Sequence, residues 1–405
     1  MSGWALPTNT WRCDLRSKLK SSFFRSPTNM LIGQPIPVIR KILHQKPELS
    51  REESQTAKNI ADYFSNLTNF QIEGPFGYHS FVAVRKFGEG LVIAFRAELD
   101  ALPIKEISSL SHKSRNPGKS HVCGHDGHMS IALALANELE QNPPSGGTVC
   151  FIFQSAEETG EGAEEMIKSE KFRNLGIDFC YALHNIPGLQ KGTVHSRIGS
   201  FACASVGVTA SIEGKTSHAA HPENAINPLE VAIGLWSGIG ALPQNEVIDD
   251  FALATSIALH SGERTFGTSP ASAELLVTMR AARTEHLDFM MEQCKAIANS
   301  LAKESAAKIE LSFQEYFPAT ENADLIENLK EACTAAEVQF YELKLPFRWS
   351  EDFAHFSKCF PTLMFGLGSG IEQPALHAPN FDFPDEIIEP GKSVFYQLYK
   401  IHNPS

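Results

Sequence analysis

The chain has 405 residues, which is too long for a single compact core, so its length favours two or three domains. A formal charge of -12 and a pI near 5.7 argue against a nucleic-acid or anionic-membrane surface, because both need clusters of Lys and Arg. No apolar run approaches the roughly 20 residues of a membrane helix. We therefore expect a small polar substrate, with no nucleic-acid partner and no membrane partner.

Cysteine usage indicates a reducing compartment. The eight cysteines are scattered without paired spacing, and two of them, Cys150 and Cys180, fall in apolar runs that predict buried strands. Free thiols therefore fit better than disulfides. The first residues carry basic side chains without the apolar core of a secretory signal, so we predict a cytoplasmic protein. Residues 1–34 form an N-terminal extension of unknown role.

From residue 35 onward, helix-like and strand-like segments alternate. Apolar residues at helical spacing predict helices over 36–43, 57–64 and 128–140. Short apolar runs predict buried strands over 81–84, 91–95, 148–153 and 179–182. Helices between strands favour an α/β fold with a mixed, mostly parallel sheet that is flanked by helices.

The segment 200–316 has a different pattern. It predicts a strand, a helix, two strands, a helix and a strand over 203–212, 227–242, 251–260, 273–279, 285–301 and 308–313. This β-α-β-β-α-β order is that of a ferredoxin-like α+β domain. A helix over 324–336 and a buried strand over 361–365 then return to the first pattern. We therefore predict a discontinuous domain of 35–199 and 317–405, interrupted by an inserted domain of 200–316.

The stretch 120–128, Ser-His-Val-Cys-Gly-His-Asp-Gly-His, concentrates reactive side chains. It holds three imidazoles, a thiol and a carboxylate, and the pair Glu157-Glu158 follows after the next predicted strand. All of these groups can bind metals or transfer protons. Two neighbouring carboxylates that both ionise need a cation, which indicates that one binds metal while the other carries a proton.

Further reactive residues share one position relative to the predicted strands. Asp100, His184 and His377 each follow a buried apolar run. Because ligands bind at the carboxyl edge of an open α/β sheet, we expect these residues to converge there. A structural role is the ordinary alternative for any single histidine. For Cys123, the alternative is a small buried hydrophobic residue, but the Gly and His directly after it favour metal ligation.

Eight motifs occur in the order of one known family, from about residue 36 to the end of the chain. They are His44-Gln-Lys-Pro-Glu-Leu-Ser50, Arg96-Ala-Glu-Leu-Asp-Ala-Leu-Pro103, His121-Val-Cys-Gly-His-Asp-Gly-His128, Gln154-Ser-Ala-Glu-Glu158, Leu183-His184-Asn185, Gly214-Lys-Thr-Ser-His218, Ser350-Glu-Asp-Phe353 and Leu376-His377. On these motifs the chain resembles the metal-dependent aminoacylase and carboxypeptidase superfamily. The similar branch is that of the amidohydrolases, which includes hippurate hydrolase, the auxin-conjugate amidohydrolases and N-acetyl-diaminopimelate deacetylase.

The resemblance implies two divalent ions in each subunit, with Zn, Mn, Ni or Co as candidates. The metal ligands it implies are Cys123, His125, Glu158, His184 and His377. It implies that Glu157 is the general acid/base and that Asp100 orients a ligand from behind the site. It also implies that His218 reaches the substrate carbonyl in a partner subunit, and that Arg280 binds the substrate carboxylate. Asp126 and His128 are expected to support the turn and the helix that starts there.

The resemblance further implies a metallopeptidase-like catalytic domain, with the inserted domain as a lid and dimerisation domain. The protein would form a homodimer or a higher oligomer. The expected activity is cleavage of N-acyl amino acids, with acetyl, benzoyl or similar acyl groups, to a carboxylic acid and a free amino acid. In this reaction Glu157 would serve as general base and acid to a metal-activated water.

Two alternatives to this function remain. The first is a dipeptidase or carboxypeptidase on the same scaffold, because a peptide bond differs from an acyl amide only on the acyl side. The second is a binding protein that has the fold without catalysis. The presence of all five ligand candidates and of the base disfavours the second alternative.

Overall fold

A computed structural model describes residues 29–404 of the chain. Most of the predicted N-terminal extension, residues 1–28, lies outside this range. The helices are α1 (Ile36–His44), α2 (Ser54–Phe64), α3 (His125–Gln141), α4 (Gly162–Lys168), α5 (Glu170–Arg173), α6 (Pro228–Ala241), α7 (Thr284–Ser305), α8 (Ile326–Ala335) and α9 (Ile388–His402). The strands are β1 (Gln71–Glu73), β2 (Phe81–Lys86), β3 (Val92–Glu98), β4 (Thr148–Gln154), β5 (Phe179–Pro187), β6 (Val194–Ser196), β7 (Gly199–Ala202), β8 (Ala204–Glu213), β9 (Ala252–Ser261), β10 (Ser272–Ala281), β11 (Lys308–Phe317), β12 (Thr320–Asn322), β13 (Phe340–Glu342) and β14 (Thr362–Gly370).

The central sheet of the described residues has eight strands in the order β1-β2-β4-β3-β5-β14-β6-β13. Its four middle strands, β4, β3, β5 and β14, are parallel to one another. These strands are apolar along nearly their whole length because helices and loops cover both faces. The predicted fold class, α/β with a mixed and mostly parallel sheet flanked by helices, is confirmed.

A second sheet lies between residues 204 and 317. It is antiparallel, in the order β11-β8-β10-β9, and α6 and α7 pack against it over a separate apolar core. Its elements follow the β-α-β-β-α-β order that was predicted for the inserted segment. The short strands β7 and β12 pair with each other where the chain leaves and re-enters the first unit.

The strands beside the motifs are longer than the sequence predicted. Strand β3 continues to Glu98, and β5 continues through His184 to Pro187. Glu98 and His184 therefore lie within strands rather than beyond them. The prediction ended each strand where its apolar run ended, but polar residues remain in a buried strand when other side chains satisfy them. Helix α3 begins at His125, three residues earlier than predicted. Helices α4, α5 and α9 and strands β1, β6, β7, β12 and β13 were not predicted.

Within residues 29–404, no helix is both long enough and apolar enough to cross a membrane.

Candidate active site

The five predicted ligands converge at the carboxyl edge of the central sheet. Glu158 follows β4, His184 lies in β5, and His377 lies in the loop after β14. Cys123 and His125 come from the amino end of α3. These side chains therefore meet where the parallel strands end, which is the position of a ligand site in an open α/β sheet.

Gly124 allows the amino end of α3 to approach β5 closely. Its φ of 101° lies in the left-handed region that glycine adopts without strain. A Cβ at this position would collide with the side chain of Asn185. Because glycine has no Cβ, the sulfur of Cys123 can lie 3.5 Å from Nε2 of His184.

The ligand atoms form two groups that share Cys123. The atoms of Cys123, His125 and His184 lie within 4.8 Å of one another, and so do those of Cys123, Glu158 and His377. Nε2 of His377 is 3.7 Å from Oε2 of Glu158, and Nε2 of His125 is 3.9 Å from Oε1 of Glu158. The structure thus brings all five residues together as two overlapping triads.

The spacing of these atoms fits bound metal ions better than hydrogen bonds. Two ligands that are each about 2.1 Å from a tetrahedral ion lie about 3.4 Å apart, close to the distances found here. Among the described residues, Nε2 of His125 and Oε1 of Glu158 are buried without a hydrogen-bond partner. Buried polar atoms without a partner are costly unless an ion or water satisfies them. The two triads therefore fit a dinuclear metal centre.

The imidazoles of His125 and His184 are oriented for ligation. Nδ1 of His125 lies 2.9 Å from the backbone oxygen of Asp100, and Nδ1 of His184 lies 2.9 Å from that of Asn185. Because a carbonyl oxygen only accepts hydrogen bonds, each Nδ1 carries the proton. When each ring is neutral, this leaves the lone pair of Nε2 directed at the cluster, as in metal-binding histidines.

Asp100 connects two of the ligands from behind the cluster. Its Oδ2 accepts hydrogen bonds from Oγ of Ser50 at 2.8 Å and from the backbone N–H of Glu158 at 3.0 Å. Its Oδ1 is 3.4 Å from Nδ1 of His125. Although burial opposes ionisation, hydrogen bonding to His125 lowers the pKa of Asp100 below its ordinary value. An ionised Asp100 can therefore orient His125 and Glu158.

Glu157 is buried beside the ligands, with Oε2 at 3.9 Å from Nε2 of His125. Its carboxylate also lies within 4.8 Å of those of Glu351 and Asp352. Burial raises the pKa of Glu157 well above its ordinary value, and the charges of Glu351 and Glu158 raise it further. A carboxyl group with a raised pKa can accept a proton and give it up again.

The surroundings of the cluster lack enough positive charge to keep Cys123 and Glu158 fully ionised. Burial raises the pKa of the Cys123 thiol well above its ordinary value, and the neighbouring Glu158 and Glu157 raise it further. Burial also raises the pKa of Glu158 to about 7. A bound divalent ion would supply the missing charge, since a coordinating thiol loses its proton.

A buried charge network near the ligands was missed by the sequence reasoning. Arg96 is fully buried and donates to Gln154 and Asp352, both at 2.9 Å, and it pairs with Glu98 and with Glu351. Its motif was recognised, but no role was predicted for it. The available signal was an arginine at the end of an apolar strand, because a buried guanidinium needs carboxylates around it.

His128 supports α3 and is not free to bind a metal. Its Nδ1 lies 2.7 Å from Oε2 of Glu98, and its Nε2 lies 2.7 Å from Oδ1 of Asn185. The ligand atoms of Glu98, His125 and His128 also lie within 4.8 Å of one another. Both ring nitrogens of His128 are already in hydrogen bonds, so this third group is better explained as structural support.

A second buried ionic network fixes the first turn of α3. Nη1 of Arg40, in α1, lies 3.3 Å from Oδ2 of Asp126 and 2.5 Å from Oδ1 of Asp382. Asp126 directly follows His125, a predicted ligand, and Asp382 lies in the loop that carries His377. One buried guanidinium therefore connects the segments that carry two of the ligands.

The two predicted substrate-binding residues lie at opposite ends of β10. Arg280 lies near the end of β10, where Nη1 donates to the backbone oxygen of Arg348 and to Oγ of Ser350, both at 3.0 Å. His218 lies in the loop after β8, where it pairs with Thr268 just before β10 begins. In the part of the chain that the structure describes, His218 makes its contacts within these loops and does not join the five ligands.

Comparison with known proteins supports the family resemblance that the motifs indicated. Residues 94–400 match the model of Peptidase family M20/M25/M40. The chain is similar to IAA-amino acid hydrolase ILR1-like 5 of Arabidopsis thaliana, at 28% identity over 89% of this chain and 85% of that protein. It is also similar to N-acetyldiaminopimelate deacetylase of Lactobacillus helveticus, at 30% identity over 86% of this chain and 92% of that protein.

Among solved structures, the chain resembles the YXEP protein of Bacillus subtilis, which is described as a dinuclear metal binding peptidase from the M20 family. The TM-score is 0.77 at 26% identity, over 90% of this chain and 96% of that protein. This likeness agrees with the two ligand triads and confirms the resemblance that the motifs indicated. The chain belongs to Peptidase family M20/M25/M40.

Proposed function

We propose that this protein is a metal-dependent amidohydrolase that cleaves N-acyl amino acids to a carboxylic acid and a free amino acid. The observation that carries the proposal is the convergence of five ligand atoms with a buried carboxylate, Glu157, at one sheet edge. The relatives described above support it, since they are named as hydrolases or deacetylases of acylated amino acids.

The residues around the ligand cluster can divide the chemistry between them. Metal ions bound there would supply Lewis acidity and a water of lowered pKa. Glu157 would accept a proton from the attacking water and pass it to the amide nitrogen as the C–N bond breaks. Asp100 would hold His125 and Glu158 in place through the contacts described above. Arg280 would bind the substrate carboxylate by charge-assisted hydrogen bonds.

His218 would act in the site of a second subunit. It lies at the end of the antiparallel sheet that is opposite to Arg280 and Ser350, and the ten-residue strand β10 separates the two ends. Ten strand residues span about 30 Å. This distance favours an action of His218 across a subunit interface, where it would donate a hydrogen bond to the substrate oxygen as negative charge develops.

The edge strand β9 is the surface that we propose for a homodimer. It exposes Leu253, Ile257 and Leu259, and the antiparallel sheet ends at this strand. An exposed apolar edge strand is a template for pairing with another strand. Antiparallel pairing of β9 about a twofold axis would place the His218 end of one sheet beside the Arg280 end of the other. We accordingly propose that residues 200–316 form a lid and dimerisation domain.

We also propose a cytoplasmic location. The seven cysteines between residues 29 and 404 are free, as expected of a protein in a reducing compartment, and Cys13 lies outside that range.

A substrate panel tests the proposed function. The purified protein would be incubated with Zn, Mn, Ni or Co and with N-acetyl amino acids, N-benzoyl amino acids and dipeptides. We expect hydrolysis of the acylated amino acids, measured as released amino acid. A preference for dipeptides would identify a dipeptidase instead. No hydrolysis of any amide with metal bound would identify a binding protein.

A further inference from the structure

Phe266 is fully exposed, with a relative exposure of 101%. Among residues 29–404, the next most exposed large hydrophobic residue is Ile371, at 70%. A phenylalanine ring is normally buried, because removing its apolar surface from water is favourable. Isolated exposed apolar residues are nevertheless common on protein surfaces. Whether the exposure of Phe266 indicates a function therefore depends on where the residue lies.

Phe266 lies in the loop that joins β9 to β10, and this loop is bound to the loop of His218. Thr268 forms a β-bridge with His218. The backbone N–H of Ala219 donates to the backbone oxygen of Gly267 at 3.0 Å. Because these contacts involve the two residues after Phe266, its ring is held at the same end of the sheet as His218.

We propose that Phe266 enters the active site of a second copy of the chain together with His218, and that it lines the acyl side of the substrate. This inference rests on the proposed function and on the action of His218 across the interface. An N-acyl amino acid has an anionic end, which suits Arg280, and an apolar acyl end. An exposed benzyl ring is the complement of the acyl end, because contact between the two removes apolar surface from water.

The length of β10 argues against the alternative that Phe266 serves the site of its own chain. Phe266 precedes the first residue of β10, whereas Arg280 contacts Ser350 near the last one. The two ends are separated by about 30 Å of extended strand. If the exposed edge strands β9 of two chains pair about a twofold axis, the length of β10 places Phe266 of one chain at the Arg280 end of the partner sheet.

The first experiment compares acyl groups of increasing size on one amino acid. The substrates are N-acetyl, N-butanoyl, N-hexanoyl and N-benzoyl derivatives, and the proteins are the wild type, Phe266→Ala and Phe266→Leu. Leu91→Ala is the control, because Leu91 is also exposed but lies at the amino end of β3, at the opposite edge of the central sheet.

We expect Phe266→Ala to lower kcat/KM for the benzoyl and hexanoyl substrates about tenfold relative to the acetyl substrate. Phe266→Leu should retain most of the wild-type ratio, because it keeps apolar contact area. Leu91→Ala should leave the ratio unchanged. A benzoyl-to-acetyl ratio in Phe266→Ala equal to that of the wild type would overturn the inference.

The second experiment tests which subunit Phe266 serves. Differently tagged Glu157→Gln and Phe266→Ala subunits are combined, and the mixed dimers are isolated. Glu157 then remains only in the subunit that lacks Phe266. Action across the interface predicts the wild-type acyl ratio, since the Glu157→Gln partner supplies Phe266. If the mixed dimer instead has the acyl ratio of the Phe266→Ala homodimer, the inference is refuted. A protein that is active as a monomer would refute it as well.

The outcomes also separate this inference from the proposed function. A wild-type protein that hydrolyses no N-acyl amino acid removes the proposed function and this inference with it. A wild-type protein that is active, with an acyl ratio that does not depend on Phe266, removes the inference alone.

Discussion

The side chain of Asn185 occupies the space that a Cβ on Gly124 would need. The same glycine has a φ of 101° and separates two of the proposed ligands, Cys123 and His125. Any side chain at this position would therefore push α3 away from β5, and the ligand cluster would widen.

We predict that Gly124→Ala destabilises the protein and weakens metal binding. Gly118→Ala is the matched control, because Gly118 also has a positive φ, of 77°, but has open space where a Cβ would be. The collision at Gly124 should cost about 1 to 3 kcal/mol of unfolding free energy beyond the control. Denaturant unfolding and metal titration measure both effects. Equal stability of the two variants would contradict the role given to Asn185.

We predict that Glu157→Gln retains the metal and loses turnover. The amide keeps the shape of the side chain but cannot accept and return a proton, so kcat should fall by about 10²- to 10⁴-fold. Elemental analysis of the purified variant should give the same metal content as the wild type. Turnover near the wild-type value would show that another group acts as the base.

We predict that His377→Ala and Cys123→Ala each lower the metal content. His377 is half-exposed, so its removal should leave the fold intact, and Cys123 belongs to both ligand triads. The greater loss is therefore expected for Cys123→Ala. His195→Ala is the control, since His195 stacks on Tyr341 and belongs to none of the groups of possible metal ligands among the described residues. Unchanged metal content by elemental analysis would exclude the altered residue as a ligand.

We predict that replacing Arg40 with Met destabilises the fold by about 3 to 5 kcal/mol, because the buried carboxylate of Asp126 would then keep only His44 as a cationic partner. The matched control is Arg51→Met, since the pair of Arg51 with Glu161 lies at the surface. Exposed pairs contribute about 0 to 1 kcal/mol. Similar unfolding free energies for the two variants would argue against a structural role of the buried network.

The pH dependence of stability should reveal the pair of His44 and Asp126. Although burial opposes the charge, Asp126 at 2.9 Å raises the pKa of His44 to about 10. The folded pKa lies above the unfolded value of about 6.5. The charged ring therefore contributes its full stabilisation below pH 6.5, and this contribution is lost as the pH rises through 10. The difference in unfolding free energy between the wild type and His44→Gln should shrink over that range, and a constant difference would contradict the pairing.

The parts of the fold that were predicted correctly are those in which apolar residues are the buried ones. Apolar runs located the four central strands, and the reactive residues near their ends identified the ligand cluster. The limits of β3 and β5 were wrong, because Glu98 and His184 are polar yet buried and satisfied by neighbours. Helix α9 could have been predicted, since Ile388, Gly391, Val394 and Leu398 are buried at helical spacing.

The contacts that hold the ligands could not be predicted from local patterns. Arg96 pairs with Asp352, and Arg40 pairs with Asp382, so each partner lies hundreds of residues away. Such pairs depend on which strands and loops become neighbours. The separation of His218 from the ligands follows likewise from the length and direction of β10, which only the folded sheet reveals.

The ligand cluster is held in place by contacts that contain no ion. Carbonyl oxygens orient the rings of His125 and His184, and Arg40 ties the segment of His125 to the loop of His377. The coordinating groups are thus preorganised, and an ion that arrives does not have to fold the protein around itself. The thiol, imidazole and carboxylate groups that such an ion would meet suit Zn, Mn, Ni or Co.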